Sequence, residues 1–336
     1  MWRRWLILIV ALAIAPQVWL RDPPYHHNPD QAVAITSLPG VPVNLGPFTL
    51  TGAWQLTSAN SNFGGYSALV VPRPGWLRAY SDLGQMLDLP QPGTRGLVRQ
   101  AALFGRDVEP KAARDVEAAS LDPLSGTTWL ALEGRNALLR LDRRQRPDPA
   151  GFIQPAPMGD WTVNSGPEAM VRLHDGRLLI LAEAYASWRA NGAHPALRLS
   201  PGAAGQPGGA EPFTFVGRAG YRPTDMAQLP DGRVLVLLRR LRWPMPPRFG
   251  TWLVLADPAA IAPGQPWHSV PLASLDGTGL EENYEGLAID PAADGRVTVW
   301  LISDANGAVT QRTLLLRLSL DPRRLPGSQA KQKAPG

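Results

Sequence analysis

Cysteine is absent from this 336-residue chain, which removes thiol nucleophiles, thiolate-bound zinc, disulfides and a lipidated N-terminal cysteine together. Histidine is nearly as scarce. The five are His26, His27, His174, His194 and His268, and none has the spacing of metal ligands. A Gly-x-Ser-x-Gly elbow is also missing, so a serine esterase of the α/β-hydrolase kind has no nucleophile here. The glycine-rich run Pro201-Gly202-Ala203-Ala204-Gly205-Gln206-Pro207-Gly208-Gly209 contains no lysine and leads into no helix. It reads as a flexible loop and not as a phosphate cradle. Positive charge is in excess, net +5 with a pI near 9.9, but it is mostly scattered arginine. Only Arg239-Arg240-Leu241-Arg242 is dense, and no aromatic-and-basic face accompanies it. Nucleic acid is therefore not an expected partner.

The N-terminus has its own pattern. Met1-Trp2-Arg3-Arg4 is a short positive region, and Trp5 to Leu20 is almost continuously apolar. That is the layout of a secretory signal or an N-terminal membrane anchor, so a periplasmic or cell-envelope location is expected. Residues 21–42 contain Pro23, Pro24, Pro29, Pro39 and Pro42 and read as an extended linker. A folded domain is expected over 43–322, with a polar, frayed tail over 323–336.

Hydrophobic residues make up 44% of the chain, enough for a substantial core, and 35 Pro and 33 Gly punctuate short apolar runs. Many strands joined by turns follow from that punctuation. Five segments open alike: Gly64-Gly65-Tyr66-Ser67-Ala68-Leu69, Asp115-Val116-Glu117-Ala118-Ala119, Gly166-Pro167-Glu168-Ala169-Met170, Pro223-Thr224-Asp225-Met226-Ala227 and Tyr284-Glu285-Gly286-Leu287-Ala288. With Gly65, Glu117, Glu168, Asp225 and Glu285 taken as equivalent, the spacings are 52, 51, 57 and 60 residues. A period in this range filled with short strands predicts an all-β fold, a β-propeller of five blades, with a sixth conceivable near residues 85–115. Three units share an Asp-Gly-Arg turn, at Asp175, Asp231 and Asp294. The last unit lacks an outer strand, and the segment around Phe48–Leu56 has no blade of its own, so an N-terminal strand is predicted to close the ring.

In an antiparallel hairpin the start of one strand lies beside the end of the next. Glu117 is then expected near Glu133, Glu168 near Glu183, and Glu285 near Asp304, with Asp82 beside Gly65 and Asp225 facing Arg239 and Arg240. The inner strands of a propeller line one channel, so these groups should converge on one rim. Carboxylates crowded in this way need a cation or buried donors. Hard oxygen ligands suit Ca²⁺ or Mg²⁺. The competing reading is that these acids cap turns and pair with arginine.

Taken in order, Phe63-Gly64-Gly65-Tyr66-Ser67-Ala68-Leu69, Tyr80-Ser81-Asp82, Asp115-Val116-Glu117-Ala118, Glu168-Ala169-Met170, Pro223-Thr224-Asp225-Met226-Ala227, Asn283-Tyr284-Glu285-Gly286-Leu287-Ala288 and Ser303-Asp304-Ala305-Asn306 resemble the bacterial family named for the esterase-like activity of phytase. The resemblance implies an exported, phytase-like propeller whose Asp and Glu residues hold metal and hydrolyse phosphoesters. The family usually shows Ser-Asp-Asp-Asn where this chain has Ala305 in place of the second Asp. On that reading the metal ligands are drawn from Asp82, Glu117, Glu168, Asp225, Glu285 and Asp304. Glu133 or Glu183 would take a proton, and Arg239, Arg240, Asn306 and Arg312 would hold a small phosphoester. Two alternatives stay open. One is a non-catalytic envelope propeller that binds a ligand or partner around a structural Ca²⁺, and the other is a metal-dependent, lactonase-like esterase.

Overall fold

The computed structural model describes residues 28–104, 113–122, 125–162, 164–187, 191–202, 207–242, 248–305, 308 and 310–327, together with Trp5. Three strands come first: β1 (Ala34–Ser37), β2 (Val43–Leu45) and β3 (Phe48–Thr57). Blade one is β4 (Tyr66–Val70), β5 (Trp76–Ser81), β6 (Gln85–Pro90) and β7 (Arg99–Ala102). Blade two is β8 (Val116–Leu121), β9 (Thr128–Leu132), β10 (Ala137–Leu141) and β11 (Pro147–Ile153). Blade three is β12 (Pro167–Arg172), β13 (Leu178–Ala182), β14 (Ala193–Pro201) and β15 (Pro207–Val216). Blade four is β16 (Arg222–Gln228), β17 (Val234–Arg242) and β18 (Arg248–Ala256), with β20 (Val270–Ser274) outermost. The two-residue β19 (Trp267–His268) joins β15 in parallel. Blade five begins with β21 (Tyr284–Pro291), β22 (Val297–Ser303) and β23 (Thr313–Leu320).

The fourth strand of blade five is β3, antiparallel to β23 from Thr313 opposite Leu56 to Leu320 opposite Phe48. The ring is thus closed by an N-terminal strand. Around the axis β4, β8, β12, β16 and β21 each touch the next, and β21 returns to β4. Residues 85–102, where a sixth blade was conceivable, are the outer strands of blade one. Proline count alone placed Ala34–Ser37 in a linker, but these four residues pair with Trp54–Thr57 on the edge of β3. The end of the glycine-rich run likewise belongs to β15, which starts at Pro207. At the other terminus Leu325 is buried against the blade-five core, and Arg233 donates to the carbonyls of Pro322 and Pro326. The polar tail therefore starts later than residue 323. Among the described residues no helix is long and apolar enough to cross a membrane.

Each blade packs both faces on its neighbours, so its middle strands read as unbroken apolar runs and do not alternate. All of Leu178–Ala182 is buried, as is Val234–Leu238. The core is accordingly divided into five clusters, one at each interface between blades. Leu235, Leu237 and Leu253 meet Leu287, Leu301 and Leu316 between blades four and five. Trp129 and Leu138 meet Ile180 and Leu197 between blades two and three. The Asp-Gly-Arg turns are closed by side chain as well as backbone. Asp175 Oδ1 accepts the Arg177 N–H at 3.0 Å, and Gly176 supplies φ +86°.

Every inner strand carries one bulge at the same height, pushing out Ser67, Glu117, Glu168, Thr224 and Glu285 in turn. A bulge re-aims the extra side chain and bends the strand. Just beyond it the inner strands come close. A Cβ on Gly286 would lie 3.0 Å from the Ala68 carbonyl carbon and 2.6 Å from Ile302 Cγ2. Gly286→Val is therefore expected to lose about 1–3 kcal/mol or more through overpacking against backbone that cannot move aside. Thermal melting tests this, and a wild-type melting temperature would show that β21 and β4 have room to spare.

Candidate functional site

The bulged residues of the inner strands form one tier around the axis: Ser67, Glu117, Glu168, Thr224 and Glu285. The residue just after the second strand in blades one, two, three and five forms another, Asp82, Glu133, Glu183 and Asp304, with Arg239 at the equivalent place inside β17. Backbone hydrogen bonds fix this second tier. The N–H groups of Asp82, Glu133, Glu183 and Asp304 donate to the carbonyls of Gly65, Asp115, Gly166 and Asn283 at 2.8–3.0 Å. In blade four Arg239 pairs directly with Arg222 in the ladder. The register thus replaces one acid of each tier in blade four, Thr224 in the first and Arg239 in the second.

Arg239 is the hub. Its Nη2 donates to Glu183 Oε1 at 2.9 Å, and its Nη1 donates to Asn283 Oδ1 at 2.7 Å and to Glu285 Oε1. Glu183 Oε2 also accepts from Arg222 Nη1 at 3.0 Å, and Asn283 Nδ2 donates to Glu285 at 2.8 Å. Burial opposes the charge on Arg239, but Glu285, Glu183 and Glu168 hold it protonated even more firmly than an ordinary arginine. A network satisfied in this way locks blades three, four and five together.

Away from Arg239 the carboxylates face one another. Oxygens of Asp115, Glu117 and Glu133 lie within 4.8 Å of each other. Burial pushes Glu117 well above the usual carboxylate range, and Glu285, Asp115, Glu133 and Asp82 add to the shift. Glu168 is raised in the same way, first by burial and then by Glu117, Glu183 and Glu133, with Arg239 opposing. Burial also raises Glu133, against the N–H of Gly166 that donates to it at 3.3 Å. Burial and like charge thus both favour the protonated form of these groups, and a cation would oppose that.

A cavity of about 580 Å³ opens beside this rim, between blades three, four and five. Glu183, Arg222, Arg239 and Asn283 form its polar wall, and Tyr185, Leu241 and Phe249 its apolar one, with Arg240 alongside.

Residues 61–307 match the family described as phytase-like, esterase-like activity of phytase. The chain belongs to that family. No curated protein matches this chain. Among solved structures, it is similar to an endo-arabinase from Bacteroides thetaiotaomicron at 12% identity, TM-score 0.48, covering 77% of this chain and 95% of that one. It is similar also to the Cps50 (Swd1) β-propeller domain of Myceliophteria thermophila at 11% identity, TM-score 0.39, covering 89% and 99%. Kuenenia stuttgartiensis hydrazine synthase gives 13% identity, TM-score 0.39, and 73% and 78% coverage.

Within this phytase-like chain the candidate site residues fall into three groups. Asp82, Glu117, Glu133, Glu168, Glu183, Glu285 and Asp304 sit at the bulges of the inner strands or just after the second strands, one or two from each of four blades. Asp225 does not. Its register equivalents are Ala68, Ala118, Ala169 and Gly286, because the acid follows the bulge where Glu117, Glu168 and Glu285 occupy it. Asp225 lies opposite Leu237 and not Arg239. Its carboxylate is buried, accepting the N–H groups of Met226 at 2.8 Å and Leu287 at 2.6 Å, so it ties inner strands together instead of offering a ligand. Among the arginines, Arg239 is clamped as above and Arg312 donates to Glu282 Oε1 at 2.7 Å, while Arg240 reaches the cavity. Asn306 lies outside the described residues.

Three contributors escaped the sequence reading. Asp115 opens blade two and joins the oxygen cluster. Arg222 braces Glu183. His194 is fully buried, with Nδ1 at 3.1 Å and 3.0 Å from the Glu183 and Ala184 carbonyls and Nε2 at 3.2 Å from the Tyr221 carbonyl. It staples the end of β13 to the start of β16, beneath both Glu183 and Arg222. A lone His in the sequence gave no sign of that.

Two outcomes are expected. Arg239→Ala strands two buried carboxylates and should cost about 3–5 kcal/mol in chemical denaturation. A loss under ~1 kcal/mol would mean that Glu183 and Glu285 find other partners. The second outcome concerns pH. Glu117, Glu168, Glu133 and Glu285 have folded pKa values above the unfolded value of 4.5, so the folded state binds more protons as pH rises through that range. The stability they contribute is present below the unfolded pKa and is lost as pH climbs through the folded one. In chelator the melting temperature should therefore fall from pH 5 to pH 8. A flat or rising profile contradicts the shifts.

Proposed function

We propose that this chain is an exported hydrolase of phosphoesters that works with a divalent cation at the channel mouth. The observation that carries the proposal is the Asp115, Glu117 and Glu133 cluster: three oxygens from one blade, close enough to share an ion, in a place where burial penalises bare charge. The donors are all hard oxygens, and no histidine is among them. That fits Ca²⁺ or Mg²⁺. When bound, such an ion supplies charge stabilisation at a phosphoryl oxygen and lowers the pKa of a water.

The chain's own groups then divide the remaining work. Glu168 stands next to the cluster with its pKa raised by burial and by Glu117, so it suits a general acid or base. Glu183 is neutralised by Arg239 and Arg222 and serves to position them. Arg240 and Arg222 face the cavity, where a phosphoryl group can accept paired hydrogen bonds. Export is supported by the positive-then-apolar layout of residues 1–20, which agrees with an envelope role.

One observation favours a second reading, that of a binding propeller with a structural ion. Arg239 and Arg312 already neutralise Glu183, Glu285 and Glu282, so part of the rim is framework. Melting in chelator and then in Ca²⁺, Mg²⁺ or Mn²⁺, alongside assays on aryl phosphoesters, separates the readings. An ion at ~100 times its dissociation constant should add roughly 2.7 kcal/mol, and Glu117→Gln should abolish both that gain and turnover. A gain without turnover supports the structural ion. No gain with any of the ions removes the metal from both readings.

A further inference from the structure

A second cavity, of about 460 Å³, is lined by the far ends of all five inner strands. The bulges stand at Ser67, Glu117, Glu168, Thr224 and Glu285. Two or three residues further along each strand, Leu69, Ala119, Val171, Met226 and Leu287 line this cavity. Packed strand separates the two levels. Gly286 leaves no room for a Cβ against Ala68, and the buried Asp225 carboxylate holds the N–H groups of Met226 and Leu287. The cavity is therefore distinct from the arginine-lined one described above, with which it shares no lining residue.

Most of its wall is apolar, and its few polar groups are nearly all paired. Arg172 is the one Arg, Lys, Asp or Glu among the lining residues. Asp122 meets its charge, with Nε and Oδ2 3.6 Å apart. Gln228 accepts the His174 N–H at 2.7 Å and donates to the Gly232 carbonyl at 2.8 Å, and His174 stands at the exposed edge. Ser120 is the exception. It is 7% exposed, and its Oγ accepts the Arg172 N–H at 2.7 Å. That bond uses a lone pair and leaves the hydroxyl proton, which no described residue accepts. A buried donor left in that state is costly, and an acceptor placed in the cavity removes the cost.

We infer that this cavity is a second ligand site, for a small neutral molecule with an apolar body and one hydrogen-bond acceptor, a ketone or ester carbonyl being the simplest. The acceptor takes the Ser120 proton, and the body lies against Leu69, Met226 and Leu287 across the axis. Neutrality follows from Arg172. Its charge is already met by Asp122, so an added ion would enter an apolar wall with no counter-charge of its own. The volume falls in the range of sites for small organic molecules. The site draws on no residue of the rim, so it stands or falls independently of the hydrolase proposal.

The test uses the full-length protein and three probes of similar shape in equilibrium dialysis: benzophenone, diphenylmethane, which lacks the acceptor, and 4-benzoylbenzoate, which adds a negative charge. Benzophenone should bind at least about tenfold more tightly than the benzoate. Ser120→Ala, with its fold checked by thermal melting, should weaken the ketone about fivefold and leave diphenylmethane unchanged. Irradiating the wild-type complex locates the ketone without any variant, because its excited carbonyl takes hydrogen from a nearby C–H bond and the two carbons then join. The label should fall on the peptides holding Met226 and Leu287. Label on Tyr185, Leu241 or Phe249 instead puts the ligand in the other cavity and overturns the inference. Equal or tighter binding of the benzoate overturns it too, as does no binding of the ketone. So does wild-type ketone affinity in Ser120→Ala, which would mean that water alone satisfies Ser120.

Discussion

One buried guanidinium organises the mouth of this propeller. Arg239 comes from blade four, takes Glu183 from blade three, and takes Asn283 and Glu285 from blade five. Desolvating those charges is costly, and only close geometry with every donor used offsets the cost. The consequence is a division of the rim. On the arginine side carboxylates are neutralised from within, and the wall is finished. On the far side Glu117 and Glu133 lie beside Asp115, and burial with like charge raises Glu117, Glu133 and Glu168, a crowding that a cation would relieve. Electrostatic asymmetry therefore arises in a fold whose backbone is nearly fivefold.

The backbone supplies the places and the side chains supply the differences. A bulge at one height in every inner strand aims one side chain into the mouth, and the end of every second strand adds another. Blade one fills the bulge with Ser67 and blade four fills it with Thr224. The three glutamates therefore sit in blades two, three and five, and Arg239 answers two of the acids. Below that level Ala68, Ala118, Ala169 and Gly286 leave little room, and Asp225 spends its carboxylate on backbone N–H groups. The polar site is shallow because the strands beneath it touch.

Much of this was legible in the sequence. Short apolar runs with Asp-Gly-Arg turns at a steady spacing gave the blades, and an orphan strand near Phe48 beside an incomplete last unit gave the closure. Pairing the acids at strand starts and ends anticipated that Glu117 and Glu133 lie side by side. What failed has a physical cause. Aligning Asp225 with Glu117, Glu168 and Glu285 was off by one residue, and in a bulged strand one residue separates a mouth position from a buried one. Periodicity cannot register a bulge that every blade shares. Arg239 read as a free phosphate ligand because its two acids lie more than forty residues away on either side in sequence. His194 and Asp115 were silent although their partners are nearer in sequence, since a fold is needed to show that those partners meet them.

The closing strand has a further consequence, for the order of folding. Blades one to four are each built from neighbouring sequence and can form as local hairpins. The last blade joins β3 to β23, and contacts such as Thr51 with Arg317 span 266 residues. Bringing such distant segments together costs loop entropy that grows only slowly with length, but it must be met before the contacts reward it. Closure is therefore the late and slow event. Until β23 arrives, β3 waits as an uncovered strand with Phe48, Leu50 and Leu56 exposed, the kind of edge that pairs with the wrong partner. The first strand of the closing blade depends on the last, so a chain that stops short of β23 leaves the ring open even when four blades precede it.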